Sequence, residues 1–205
     1  MSDSRRGIAR KRGTSRAVQS IIRVHSEGTK TEVQMLTEWV RETRHVKLDW
    51  GILGADPKAL VDEARQDMKT ASRDRSGVNR EFDHLWCVFD VDEHPRLSSA
   101  VEEARQNNIN VAISNPCIEL WLLLHIGDQT AHIERGDAQR QARKEKIQDG
   151  KDIRPQFYDR MFANYETART RAQDLDKKHE LDGSPPHHNP SSNIWRLIDL
   201  LRESD

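Results

Sequence analysis

The strongest constraint on this chain is a pair of short apolar runs that each end in acid. Ile21-Ile22-Arg23-Val24-His25-Ser26 leads into Glu27-Gly28, and Leu85-Trp86-Cys87-Val88-Phe89 leads into Asp90-Val91-Asp92. Runs of this length, bounded by glycine or acidic residues, predict buried strands of a parallel sheet. In an open α/β sheet, ligands bind in the crevice beyond the carboxyl ends of the strands. Glu27, Asp90 and Asp92 are therefore expected to converge on one crevice. Crowded carboxylates repel one another, and a divalent cation that prefers oxygen ligands, Mg2+ or Mn2+, relieves the repulsion. The pattern makes the case for metal-dependent phosphodiester chemistry.

The periodicities around these runs alternate between strand and helix. Ser20 to His25, Val46 to Trp50, His84 to Phe89 and Ile109 to Ile113 predict four strands. A helix is expected over Thr29 to Thr43, with Val33, Leu36 and Val40 as its apolar stripe and Met35 and Trp39 widening it. Asp56-Pro57 caps a second helix carrying Leu60, Val61, Ala64 and Met68, and Leu97, Ala100, Val101 and Ala104 mark a third. This order implies an α/β fold, a Rossmann-like parallel four-stranded sheet flanked by helices, with right-handed crossovers. Pro116 then opens a helix from Cys117 to Ile126 that is apolar on nearly every side, so it should be buried against the sheet. Glu119 interrupts it. A buried carboxylate needs a metal, an arginine, or backbone amides such as those near Ser114 and Asn115.

Beyond Gly127 the chain becomes charged and helical. A polar helix is expected from Asp137 to Ile147, and one longer helix is traced by Phe157, Met161, Phe162, Tyr165, Ala168, Ala172 and Leu175. Ser191 or Ser192 should cap a last helix holding Ile194, Leu197, Ile198 and Leu201. The expected organisation is a basic arm over 1–19, an α/β domain over 20–130 and a helical C-terminal region over 131–205 packed on it.

Of the 205 residues, 35% are hydrophobic and 33% charged, so the core must be concentrated in these few apolar segments. No stretch reaches the roughly eighteen to twenty apolar residues that a membrane span needs. The basic start lacks the apolar segment of a secretory signal. Cys87 and Cys117 sit in apolar surroundings, which suits buried free thiols in a reducing cytoplasm better than a disulfide or zinc site. The net charge of −1 excludes a basic nucleic-acid coat. It is unevenly spread, however: Arg5, Arg6, Arg10, Lys11, Arg12 and Arg16 face only Asp3, leaving +5 on residues 1–19. Such an arm can bind phosphates by counterion release, and a solvated tail accounts for it equally well. Lys30, at a helix start, has the same two readings. His187-His188 reads as solvated, and the five tryptophans read mainly as core.

At Ser26-Glu27-Gly28-Thr29-Lys30-Thr31-Glu32 and Val88-Phe89-Asp90-Val91-Asp92 the chain resembles a topoisomerase–primase (TOPRIM) domain. Ser114-Asn115-Pro116-Cys117-Ile118-Glu119-Leu120-Trp121-Leu122-Leu123-Leu124-His125 and Asn189-Pro190-Ser191-Ser192-Asn193 resemble the RloB-like subgroup. The likeness spans nearly the whole chain. It implies a TOPRIM fold and a Mg2+-dependent nuclease, often encoded beside an ATPase and associated with defence against phage. Glu27 resembles the catalytic glutamate, and Asp90 and Asp92 the metal-binding pair. Related nucleases carry further glutamates after the Glu-Gly and after the fourth strand. Glu32 and Glu119 match these as ligands of a second metal, although Glu32 lies one residue further from Glu27 than that pattern has it.

The leading expectation is a nuclease acting on DNA or RNA in the cytoplasm with a partner ATPase. Metal on Asp90 and Asp92 would neutralise phosphate charge while Glu27 moves the proton. The alternative is a non-catalytic TOPRIM-like binding or regulatory subunit of an ATPase complex.

Overall fold

The computed structural model describes residues 20–44, 46–73, 81–91 and 97–203. Four parallel strands form in it, β1 (Ser20–Ser26), β2 (Val46–Leu53), β3 (His84–Asp90) and β4 (Asn110–Asn115). They are joined by α1 (Thr31–Thr43), α2 (Pro57–Arg73) and α3 (Leu97–Gln106). The strand order β2-β1-β3-β4 places the two acid-ended runs side by side at the centre. Register sets Ser26 against Val88 and Asp90 against Ser114, so the carboxyl ends lie along one edge.

Beyond β4 come α4 (Ile118–Leu124), α5 (Arg135–Lys144), the two-stranded hairpin β5 (Gln148–Asp149) and β6 (Asp152–Ile153), α6 (Pro155–Ala163), α7 (Tyr165–Leu181), β7 (Ser191–Ser192) and α8 (Trp195–Arg202). The central sheet has five strands rather than the expected four, because β7 adds antiparallel to the end of β4. Ser191 and Ser192 are thus strand residues and not the cap of the last helix. Two residues carry no visible alternation, and a strand this short exists only because the β4 edge is there to receive it. The single long helix expected from Phe157 to Leu175 is two, divided at Asn164, whose N–H donates to the carbonyl of Arg160 while its own carbonyl accepts from Ala168. Phe157, Met161, Tyr165 and Ala168 keep one buried stripe across the break, so periodicity could not reveal it.

Side chains alternate between the two faces of the sheet, as strand geometry requires. Ile22, Val24, Trp86, Val88 and Ala112 meet α1, α4 and the C-terminal helices in one continuous core. Leu85, Cys87, Phe89 and Ile113 meet Leu60, Val61, Ala64, Ala100 and Ala104 of α2 and α3 in the other. Both cysteines are free and buried. The buried stripe of α1 is Glu32, Met35, Leu36 and Trp39, with Val33 and Val40 only half-buried, so it is rotated from the expected one and includes an acid.

On the α2 side, a polar network clamps β1 to β2. Arg23 donates to Asp49 (2.8 Å from Nε) and to Asp67 (2.9 Å from Nη1). His25 Nδ1 accepts the N–H of Ile52 at 3.0 Å, so Nε2 carries the ring proton and donates to Asp67 at 3.1 Å. A Cβ on Gly51 would stand 2.3 Å from this ring, which is why glycine occupies the middle of β2.

The last clasp on the sheet is Asn193. Its Oδ1 accepts the buried N–H of Ile113 at 2.6 Å and its own N–H donates to the Ile113 carbonyl at 3.0 Å. Replacing it with alanine leaves a buried donor unpaired, so Asn193→Ala should lower stability by about 1–3 kcal/mol in urea unfolding. An unchanged midpoint would mean that solvent already serves that edge.

Candidate functional site

The site is built where β1 and β3 end. The N–H of Glu27 donates to the Val88 carbonyl at 2.9 Å, continuing the ladder one residue past β1. The N–H of Asp90 donates to Glu27 Oε2 at 3.3 Å, which holds the Glu27 carboxylate over the end of β3. Asp90 shares its face with Trp86 and Val88 and is 6% exposed. Gly28 leaves room for a close approach. A Cβ there would fall 1.8 Å from a carboxylate oxygen of Glu32, so any other residue would make that side chain move away from the turn.

Glu32 reaches the same place from the first turn of α1, and Glu119 from the first turn of α4. Together with Glu27 and Asp90 they line a cavity of about 130 Å³, along with Arg135 and Lys151. The α5 residue Arg135 places Nη2 at 3.4 Å from Asp90 Oδ2. Gln148 of β5 donates to Glu119 Oε1 at 3.1 Å. The hairpin is tied to α1, since Thr31 Oγ1 donates to the Lys151 carbonyl at 2.8 Å and the Ile153 N–H donates to Gln34 Oε1 at 2.8 Å.

Burial and crowding act in the same direction on these acids. Asp90 is held well above the usual carboxylate range by burial and then by the charge of Glu32; Arg135 opposes the rise, while Glu119 and Glu27 add to it. Glu32 is pushed up to about 7, first by burial; a backbone hydrogen bond at Glu32 opposes this, and the charges of Glu119 and Glu27 reinforce it. The part of this rise that comes from mutual repulsion of the acids is relieved by a proton, or by a cation that takes its place.

The donor set fits a hard divalent ion, Mg2+ or Mn2+. The carboxylates supply oxygen alone, and among the described residues no histidine or cysteine lines the cavity. Two buried side-chain oxygens nearby, Ser26 Oγ and Gln148 Oε1, have no hydrogen-bond partner among the described residues. The acids surround the cavity rather than meet in it. Among the described residues no three His, Cys, Asp or Glu side chains form a ready-made metal cluster, so ligation requires the carboxylates to draw inward.

Of the residues expected from sequence, Glu27, Asp90, Glu32 and Glu119 are brought together. Asp92 lies outside the described residues, as do Arg5, Arg6, Arg10, Lys11, Arg12 and Arg16. Lys30 is at the rim, exposed, with Nζ 3.6 Å from Asp152. Glu32 lines the cavity even with the extra residue between it and Glu27: α1 begins at Thr31 and not at Thr29, and Glu32 lies on its buried stripe. Among the described residues the hydrogen-bond partners of Glu119 are Gln148 and the Cys117 thiol, not an arginine. Arg135, Gln139, Gln148 and Lys151 also belong to this neighbourhood and lie outside the set expected from sequence. One signal was present: Ala138 and Ala142 mark the buried face of α5, and Arg135 precedes Ala138 by three on that face.

The family model for RloB-like protein matches residues 22–201, and the chain belongs to that family. No curated protein and no solved structure matches it significantly.

The raised pKa of Glu32 fixes the sign of a pH effect. The folded chain holds this proton up to about pH 7, whereas 4.5 is ordinary for glutamate in the unfolded chain. Between those values the folded state binds the extra proton, so the metal-free protein loses stability as pH rises. Buried His25 and His125, whose protonation burial disfavours, act in the opposite direction and cancel when two variants are compared. Glu32→Gln should therefore match wild type near pH 4.5 and exceed it above pH 7, by up to about 3 kcal/mol. Denaturant unfolding at both pH values checks this, and a difference independent of pH would remove Glu32 from the charged cluster.

Proposed function

We propose that this RloB-like protein is a Mg2+- or Mn2+-dependent nuclease that cleaves phosphodiester bonds of DNA or RNA. The observation that carries the reading is the convergence of Glu27, Glu32, Asp90 and Glu119, from four separate elements, on one cavity with Lys30, Arg135 and Lys151 around it. Acids within and cations around them suit a site that holds metal and receives a polyanion. Work with a partner ATPase, a role in phage defence and a cytoplasmic location are proposed with it, on the resemblance to TOPRIM nucleases and on the two free cysteines. No helix among the described residues is long and apolar enough to cross a membrane.

Asp90, Glu32 and Glu119 would hold the metal with Glu27, and Asp92 beside them on the grounds of its spacing from Asp90. When bound, the ion supplies charge neutralisation on the phosphate oxygens. The chain's own residues do the rest. Glu27, oriented by the N–H of Asp90, moves the proton, either from the attacking water or to the leaving oxygen. Lys151 and Lys30 bind the flanking phosphates. Cation affinity should rise with pH, because Asp90 and Glu32 must lose their protons to ligate.

Full-length protein incubated with Mg2+ or Mn2+ and DNA, total RNA or tRNA, alone and with a candidate partner ATPase, tests this reading. Glu27→Gln and Asp90→Asn should each lower cleavage by about 10²–10⁴-fold while the fold and nucleic-acid binding persist. Cleavage by Glu27→Gln at the wild-type rate would sink the assignment. Binding without cleavage in every arm would favour a regulatory TOPRIM-like subunit instead.

A further inference from the structure

Arg135 is the cation at the cavity to which the proposed chemistry gives no step of its own. It sits within the acid-lined cavity, with Nη2 3.4 Å from Asp90 Oδ2. Tight charge-assisted contacts are about 2.7–2.9 Å long, so this one is extended. The two partners differ in access: the side chain of Arg135 is 34% exposed and that of Asp90 is 8% exposed. The base of the arginine is fixed, because it opens α5 and that helix is anchored by buried Ala138 and Ala142. A long side chain on a fixed base, reaching from solvent to a buried acid, can leave without disturbing the core. The acid cannot leave.

We infer that Arg135 is an electrostatic latch on this site: without metal it stands in for the cation at Asp90, and a divalent ion displaces it toward the mouth of the cavity. The inference rests on the metal reading proposed above. Four carboxylates around one small cavity need positive charge in either state, and a guanidinium already against Asp90 provides it without metal. Metal binding then competes with the latch, so the two cations oppose each other. Once released, the guanidinium stands at the entrance, where its planar fork suits a phosphate oxygen of the incoming strand. Arg135 is thus a positioning residue that couples metal loading to readiness for a phosphodiester substrate.

Calorimetric titration of full-length protein with Mn2+, in the absence of nucleic acid, tests this directly. Arg135→Gln should bind Mn2+ about tenfold tighter than wild type or better, the size expected for removal of a close competing charge. Arg135→Lys should return toward the wild-type value. Affinity in Arg135→Gln equal to or weaker than wild type would overturn the latch. A second measurement needs no substitution: phenylglyoxal modification of wild-type Arg135, followed by peptide mass spectrometry, should speed up when Mn2+ is added, and an unchanged or slower rate would also overturn it. If wild type binds neither Mn2+ nor Mg2+, the metal reading fails and the latch with it. If wild type binds metal but neither Arg135 result appears, the latch alone falls.

Discussion

Like charge gathered at the carboxyl edge of the sheet is the constraint around which the molecule is organised. Glu27, Glu32, Asp90 and Glu119 lie within electrostatic reach of one another, and Glu32, Asp90 and Glu119 are buried. Such an arrangement destabilises a folded chain unless something holds the acids in place and something offsets their charge. The first need is met by rigid elements. Glu27 is pinned by the backbone of β3, Glu32 lies on the packed stripe of α1, and Glu119 is embedded in the most apolar helix of the chain. The second is met in part by Arg135, and in part by protons that Asp90 and Glu32 retain more strongly than exposed acids do.

The C-terminal region contributes more than a covering layer. Its helices complete one face of the sheet, where Leu197, Ile198 and Leu201 share a core with Val24 and Val88. Residues 135–151 also form one wall of the cavity. Arg135 and Lys151 bring positive charge, Gln148 holds Glu119, and the β5–β6 hairpin is tied back to α1 through Thr31 and Gln34. Elements more than a hundred residues apart in the chain are therefore interdependent in the site. A change in the hairpin should be felt at the acids through α1.

The opposite face carries a different kind of polar burial. Arg23, His25, Asp49 and Asp67 satisfy one another and the backbone of Ile52, so their charges are paired where those of the cavity are crowded. Here geometry favours a single register between β1 and β2, since His25 fits only against Gly51. That register determines where β1 ends. Glu27 is one residue past that end and two beyond His25, so the paired network behind the sheet helps to place the crowded one at its edge.

The central part of this architecture was legible in the residues themselves. Two apolar runs ending in acid specified adjacent buried strands, and alternation with amphipathic segments specified a parallel sheet, because burial on both faces leaves a recognisable composition. Glu27 and Asp90 were identifiable for the same reason: position at a strand end follows from where apolarity stops. Other features depended on partners distant in the chain. β7 exists because the end of β4 accepts it, and the break at Asn164 hides beneath an unbroken apolar stripe. Glu32 joins the acids because the first turn of α1 starts later than its sequence suggested, and Arg135, Gln148 and Lys151 join because α5 and the hairpin fold back over the site. Local pattern determines which face of an element is buried, through the fixed periods of helix and strand. Which charges then meet across a cavity is decided only when the elements pack, since electrostatic interaction depends on distance in space and not on separation along the chain.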